Sequence, residues 1–263
     1  MKIGIIGIGV VGGATAKVLS NVHELYLYDK YKKEYNPEKN IEELAKNAKV
    51  VFICVPTPYA GKNGFDLSFV QDAFKLIKGN KVIVIKSTVL PGTTEMFQKK
   101  YPRHKILFNP EFLTQESADQ DMKYPDRQII GYTKKSYHLS KDIMQILPLA
   151  PFERIIPAAE AEMVKYFGNC WFSAKVIYAN QIYDLCQKLG IDYEQVKECA
   201  SADKRIGPSH LEIFHKGYRG YGGACLPKDT QALIQFGDKL GVDLELLKTA
   251  ERINQSLRRE GDR

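Results

Sequence analysis

Long hydrophobic runs are missing from this sequence. The longest candidate, residues 3–16, falls short of the roughly 18 to 20 apolar residues needed to cross a bilayer and is punctuated by glycines, so no membrane span is expected. Cysteine is scarce. Cys54, Cys170, Cys186, Cys199 and Cys225 are odd in number and contain no C-x-x-C pair, which argues against a disulfide framework and a zinc site and suits a reducing cytoplasm. Blocks of like charge are lacking as well: 38 Lys and Arg against 31 Asp and Glu give a net charge of +7, but the basic residues are scattered. With no nucleic-acid motif beside them, nucleic acid is set aside, whereas a small phosphorylated ligand remains compatible. There is no internal repeat and no low-complexity tract. A content of 44% apolar and 26% charged residues is that of an ordinary globular protein and excludes disorder, collagen and coiled coil.

What is present divides into two patterns. From residue 1 to about 151, short β-branched runs alternate with helix-like segments: KIGIIGIG, ELYLYD, KVVFICVP, KVIVIKST, KILFNPE and RQIIGY. Their near-continuous apolar character is what strands buried on both faces of a parallel sheet require. The pattern predicts an α/β fold, a doubly wound parallel sheet of Rossmann type, over residues 1–153. Beyond it, Met163, Phe167, Trp171, Ala174, Tyr178, Ile182, Leu185 and Leu189 recur at helical spacing. They predict one helix of about 30 residues stopped by Gly190. Further helices are expected at 193–201, 229–240 and 244–259, with a Gly-rich loop at 207–223. Residues 154–263 therefore read as an all-α domain with one long helix, apolar round most of its circumference, through which a homodimer is expected.

Gly7-Ile8-Gly9-Val10-Val11-Gly12 follows the first strand and opens a helix, the context in which a G-x-G-x-x-G pattern marks a dinucleotide site. Gly7 permits the tight turn, Gly9 lets backbone approach a pyrophosphate, and Gly12 allows close helix packing, with the helix N-terminus facing the anion. Asp29 ends the second strand 20 residues after Gly9, where a carboxylate accepts from the adenosine ribose and repels a 2′-phosphate. That favours NAD over NADP, although Lys30, Lys32 and Lys33 beside it weaken the preference. Gly7, Gly9, Val10, Val11, Gly12, Asp29 and Lys33 make up the expected cofactor turn.

Gly222-Gly223-Ala224-Cys225-Leu226-Pro227-Lys228-Asp229 sets a thiol between a flexible loop and a helix N-terminus, where the dipole and Lys228 would stabilise a thiolate. The other four cysteines, on strands or helices, read as small buried hydrophobes. On the long helix Lys165 and Asn169 are four residues apart and share a face, with Glu162 three residues before. An ammonium beside an amide suits the stabilisation of an oxyanion.

Together with Cys54-Val55-Pro56-Thr57-Pro58, Lys86-Ser87-Thr88, Asn109-Pro110-Glu111-Phe112-Leu113 and Arg205-Ile206-Gly207, these motifs resemble the nucleotide-sugar dehydrogenase family, the UDP-glucose and GDP-mannose dehydrogenases, over essentially the whole chain. The resemblance implies a four-electron oxidation of a sugar hydroxymethyl group to a carboxylate, with two NAD reduced per turnover and UDP-glucose the first substrate to consider. It implies Cys225 as the nucleophile that carries a thiohemiacetal and then a thioester, and Lys165 and Asn169 as the groups holding the sugar oxygen. Asp229, as base, and Thr88 would position a water, and Glu111 would serve hydrolysis. Thr57, Thr88 and Lys228 would lie against NAD. Phe112, Leu113, Gln115 and Gly222 fall with the substrate residues, and Arg205 would reach the sugar of a neighbouring subunit.

Three departures accompany the resemblance, one being a loop from Pro208 to Tyr221 that is longer than usual in the family, its His210 and His215 read as surface residues. Gln115 stands where the family usually has a second glutamate, and an amide cannot take a proton at neutral pH. The resemblance also implies a third, nucleotide-binding domain after the last helix, expected to be lacking here. The alternatives are a two-electron β-hydroxyacid-type dehydrogenase, which has no use for Cys225 in this setting, and a non-catalytic nucleotide-sugar-binding remnant.

Overall fold

The computed structural model describes residues 1–61, 64–215 and 217–261. The chain divides into two compact units, Met1–Lys165 and Tyr166–Arg263.

The first unit alternates strands and helices: β1 (Lys2–Ile6), α1 (Val10–Leu19), β2 (Glu24–Tyr28), α2 (Glu38–Asn47), β3 (Val50–Ile53), α3 (Ser68–Leu76), β4 (Val82–Ile85), α4 (Thr93–Lys100), β5 (Lys105–Phe108), α5 (Ala118–Lys123), β6 (Arg127–Tyr132), α6 (Ser140–Ile146) and β7 (Phe152–Pro157). They form one sheet of order β2-β1-β3-β4-β5-β6-β7. Because side chains alternate across a strand, Ile3, Ile5, Phe52, Val84 and Leu107 enter one core, with α1 and α6. Val51, Ile53, Ile83, Ile85 and Phe108 enter the other, with α2, α3 and α4. Both faces of β1 and β3 to β6 are covered, which is why those runs read as continuously apolar, while β2 at the edge is half-exposed.

The sheet departs from the expected form at one side. β6 runs antiparallel to β5, and β7 pairs with β6 in parallel. A parallel neighbour needs a crossover packed over the sheet, but α5 lies against α1 instead, and the chain enters β6 from the opposite end. The seventh strand, FERIIP, was not foreseen. It lies at the sheet edge, half-exposed and carrying Glu153 and Arg154, so it lacks the apolar run that marked the others.

The second unit is helical: the greater part of α7 (Ala158–Leu189), then α8 (Tyr193–Ser201), α9 (Leu226–Lys239) and α10 (Glu245–Gly261). Gly190 ends α7 with φ +66°, the left-handed stop a glycine supplies. Asp192 caps α8, its side chain accepting from the Glu194 amide at 2.9 Å. α9 begins three residues earlier than expected, because Pro227 is compatible with a first helical turn and the Asp229 amide already donates to the Cys225 carbonyl at 2.9 Å. Cys225 is thereby the N-cap residue. Small cores gather Val176, Ile177, Tyr221 and Leu257, and Ala179, Cys186, Tyr193 and Leu211. Of the four cysteines expected to be buried, Cys54, Cys170 and Cys186 are, but Cys199, near the C-terminal end of α8, is exposed.

Most of the periodic apolar positions of α7 face solvent, Ala174 and Ile182 being half-buried. Phe167 is 76% exposed and Trp171 57%, and Met163, Tyr178, Leu185 and Leu189 are exposed with them. The buried positions of the same helix include polar residues: Glu162, Lys165, Asn169, Ser173 and Asn180. Among the described residues no helix is long and apolar enough to cross a membrane.

Candidate active site

In the first unit the glycine turn joins β1 to α1. Gly7 has φ +91°, and a Cβ there would sit 2.7 Å from the Cys54 carbonyl oxygen. A Cβ on Gly12 would come within 1.8 Å of the Gly7 carbonyl oxygen, so both glycines are demanded by packing. Gly9 differs: a Cβ there would meet nothing within 4 Å. The amides that open α1 have no intrahelical acceptors, and no side chain caps them. Val10 is exposed and Val11 half-buried at this end. Beside the turn lies a cleft of about 450 Å³, walled by the start of α1 and by residues 115–120, with Gln115 on its lining. Asp29 faces the turn. Its Oδ2 accepts from the Ile8 amide at 2.7 Å, and its Oδ1 from Tyr31 and Lys32. Lys33 is exposed a few residues further on. An open, uncapped helix start beside a carboxylate fits a dinucleotide.

The neighbouring motifs lock to one another at the ends of β3, β4 and β5. Thr57 Oγ1 donates to the Thr88 carbonyl at 2.7 Å, and Ser87 Oγ to the Val55 carbonyl at 2.7 Å. Lys86 is buried, donating to Asn109 Oδ1 at 2.5 Å, and burial holds its ammonium below the ordinary lysine value. Burial likewise pushes the Cys54 thiol up to about 12, which suits an inert cysteine.

Lys165 is a buried lysine with a specific partner. Its Nζ lies 2.8 Å from Glu111 Oε1 and 2.8 Å from the Glu111 carbonyl oxygen, with 7% and 11% of the two side chains exposed. Glu111 Oε2 accepts from the Leu113 amide at 2.9 Å. The Phe112 ring lies 5.9 Å from the Lys165 ammonium and 3.9 Å from the Arg127 guanidinium. Glu162 is turned elsewhere: it is wholly buried and accepts from the Gly92 amide, the Thr94 amide and Thr94 Oγ1, closing the N-terminus of α4. Burial pushes its carboxyl up to about 7 against the pull of those hydrogen bonds.

In the second unit, Asp229 sits in the first turn of α9 with 1% exposure. Asn169 Nδ2 donates to its Oδ2 at 2.5 Å, and Lys228 Nζ to its Oδ1 at 2.5 Å. The exposed thiol of Cys225 belongs to the same turn. Lys228, expected beside the cofactor and the thiol, is thus engaged by the adjacent carboxylate. Gly222 is wedged under Tyr218 and Arg258, where a Cβ would lie 2.6 Å from the tyrosine hydroxyl. Arg205 is exposed at the turn after α8 and pairs with Asp203 at 2.6 Å.

The motifs announced Lys165, Glu111, Asn169 and Asp229, but neither pairing among them. Opposite charges 54 residues apart carry no local signal. Arg127 over Phe112 was missed for the same reason. Among the described residues no cluster of His, Cys, Asp or Glu could hold a metal ion.

Residues 21–147 match the model described as UDP-glucose/GDP-mannose dehydrogenase family, NAD binding domain, and residues 159–256 that of the same family's central domain. A UDP-glucose 6-dehydrogenase of Bacillus subtilis, YwqF, is 31% identical over 97% of this chain and 66% of that protein. The UDP-glucose 6-dehydrogenase of Pseudomonas aeruginosa is 33% identical over 82% of this chain and 50% of that protein. The solved UDP-glucose dehydrogenase of Pyrobaculum islandicum superposes with a TM-score of 0.84 at 29% identity, over 97% of this chain and 68% of that one. The chain spans half to two thirds of the length of these curated relatives.

Proposed function

The chain belongs to the UDP-glucose/GDP-mannose dehydrogenase family, and on that premise we propose that it oxidises the hydroxymethyl group of a nucleotide-sugar to a carboxylate in an NAD-dependent, four-electron reaction. UDP-glucose, giving UDP-glucuronate, is the first substrate to test, since the relatives above carry that activity in their names. The sheet-bearing part, expected over residues 1–153 and running on through β7, serves to bind NAD, and the helical part from α7 onward serves catalysis.

NAD, when bound, would supply one hydride acceptor for each oxidation, two molecules being reduced in succession. The amides of Gly9, Val10, Val11 and Gly12 would hold its pyrophosphate, Asp29 its ribose, and Lys33, Thr57, Thr88 and Lys228 the remainder. The substrate hydroxymethyl group first gives up its hydroxyl proton and a hydride from carbon, becoming an aldehyde. The Cys225 thiolate adds to it, forming the carbon–sulfur bond of a thiohemiacetal. Loss of a second hydride leaves a thioester. Water adds, the carbon–sulfur bond breaks, and the carboxylate departs as the thiolate is restored. Lys165 and Asn169 stabilise the oxyanion at each stage. Asp229 is the base that takes the proton of the water, with Thr88 positioning it. Glu111 fixes the Lys165 ammonium and backs up hydrolysis. Phe112, Leu113, Gln115 and Gly222 lie against the sugar and its phosphates.

The observation that carries this reading is the first turn of α9. An exposed N-cap thiol precedes a buried carboxylate that binds the Asn169 amide, so nucleophile, base and oxyanion donor share one turn and its neighbour. A surface role for Cys225 would need none of this. The exposed stripe on α7 supports a second element of the proposal, a homodimer through that helix, in which Arg205 serves the partner's substrate. An exposed catalytic thiol also suits a reducing cytoplasm.

Counting NADH formed per sugar consumed, across a panel of UDP- and GDP-sugars, tests the proposal. Two per sugar for one member of the panel is expected; one per sugar would point to a simple alcohol dehydrogenase and overturn it.

A further inference from the structure

At the amino ends of β3, β4 and β5, the edge of the sheet away from the glycine turn, a cleft of about 320 Å³ is lined by Lys46, Lys49, Lys81, Arg103 and Lys105. Asn47 and Asn80 line it with these cations, and no carboxylate lines the cleft. The strand register produces the cluster. Lys49 and Lys81 immediately precede β3 and β4, Lys105 opens β5, and Val50 pairs with Val82 as Val82 pairs with Lys105. Adjacent strands lie about 4.8 Å apart, so three lysines are stepped across one edge. Strands of four residues put this edge roughly 13 Å from the other, where the glycine turn lies.

A purely structural duty accounts for part of this charge. Lys81 Nζ donates to the Ala48 carbonyl at 2.6 Å, just past the end of α2, and Lys46 stands in that helix's last turn. A helix C-terminus, however, carries about half a negative charge, against five cations. Among the described residues none of the five makes an ion pair, and Lys46, Lys49, Arg103 and Lys105 make no side-chain hydrogen bond. Burial also holds the Lys81 ammonium below its ordinary value, a penalty that a bound anion would relieve. Five like charges around one concavity repel one another unless a counter-charge enters.

We propose that this cleft is a second anion site, separate from the glycine turn, that takes a small oligophosphate, either inorganic or the phosphate chain of a nucleotide. Five cations gathered round one open cleft suit such a group better than a nucleic acid, which would need the cations extended in a stripe. The inference does not depend on the dehydrogenase reading.

Calorimetric titration of the 263-residue chain with inorganic triphosphate, and separately with ATP, tests it. Tight binding of both at one site indicates that the phosphate chain is what is recognised, and binding of ATP alone that the base contributes; either supports the site. The double variant Lys49→Gln/Lys105→Gln should weaken binding by roughly tenfold or more. Lys134→Gln/Lys141→Gln, which removes the same charge from exposed positions elsewhere in the unit, should leave it within about twofold. Lys46→Gln/Arg103→Gln, at exposed positions of the cleft, repeats the first measurement should the first variant fold poorly. Unchanged affinity in both cleft variants would place the anion at the glycine turn, and equal losses in cleft and control variants would mean diffuse attraction; either result overturns the proposal.

Discussion

A carboxylate with no solvent exposure has to be held by something, and Glu162 is held by two amides and a hydroxyl at the start of α4. Its folded pKa of about 7 stands above the ordinary 4.5 because desolvation outweighs those bonds. The folded chain therefore keeps a proton that the unfolded chain releases between 4.5 and 7. The associated stability is complete below 4.5 and is lost as pH rises to about 7, a change of about 3 kcal/mol. Denaturant midpoints measured from pH 4.5 to 8 should fall across that window, and the slope should flatten in Glu162→Gln; a wild-type midpoint rising across the window would refute the assignment. The glycine turn allows a second comparison. Gly12→Ala drives a Cβ to 1.8 Å from the Gly7 oxygen and should destabilise the fold by about 3 kcal/mol or more. Gly9→Ala meets open space with an extended backbone, so its melting temperature should hold while NAD affinity drops roughly tenfold. If Gly9→Ala binds NAD as well as wild type, the pyrophosphate does not approach there. The sequence pattern announced all three glycines and their division of labour into turn, approach and packing, but not the partner that crowds Gly7, because Cys54 lies 47 residues away.

Among the elements, α7 was the most legible and the most misleading. Its 32-residue length and its stop at Gly190 followed from periodicity and the glycine. Periodicity cannot say which face is inside, however, and here the apolar stripe is outside while Glu162, Lys165 and Asn169 are buried. An exposed row of this kind usually marks an interface. Phe167→Glu with Trp171→Glu should convert a dimer to a monomer in light scattering at micromolar concentration, with little change in helix content; a monomeric wild type would contradict the dimer. β7 was illegible for the opposite reason. An edge strand half in solvent keeps its charges, so FERIIP shows neither a continuous apolar run nor a clean alternation. β1 and β3 to β6 could be read because both their faces are covered, and β2, the other edge strand, because ELYLY keeps an apolar-rich run even though it is half-exposed.

Over the molecule as a whole, the first unit supplies an open helix start beside Asp29 and the ion pair of Lys165 with Glu111, and the second supplies a thiol, a carboxylate and an amide around the first turn of α9. Motif order made each of these residues visible in advance. The pairings were not, since they join positions 54 and 60 residues apart that only the fold brings together. Without Cys225 no thioester can form, but the glycine turn is untouched. The most direct measurement is thus the carboxylate yield from UDP-glucose and NAD with wild type and Cys225→Ala, alongside a titration of each with NAD. The account predicts uronate from wild type, none from the variant, and the same NAD affinity in both; a variant that makes uronate at the wild-type rate would contradict it.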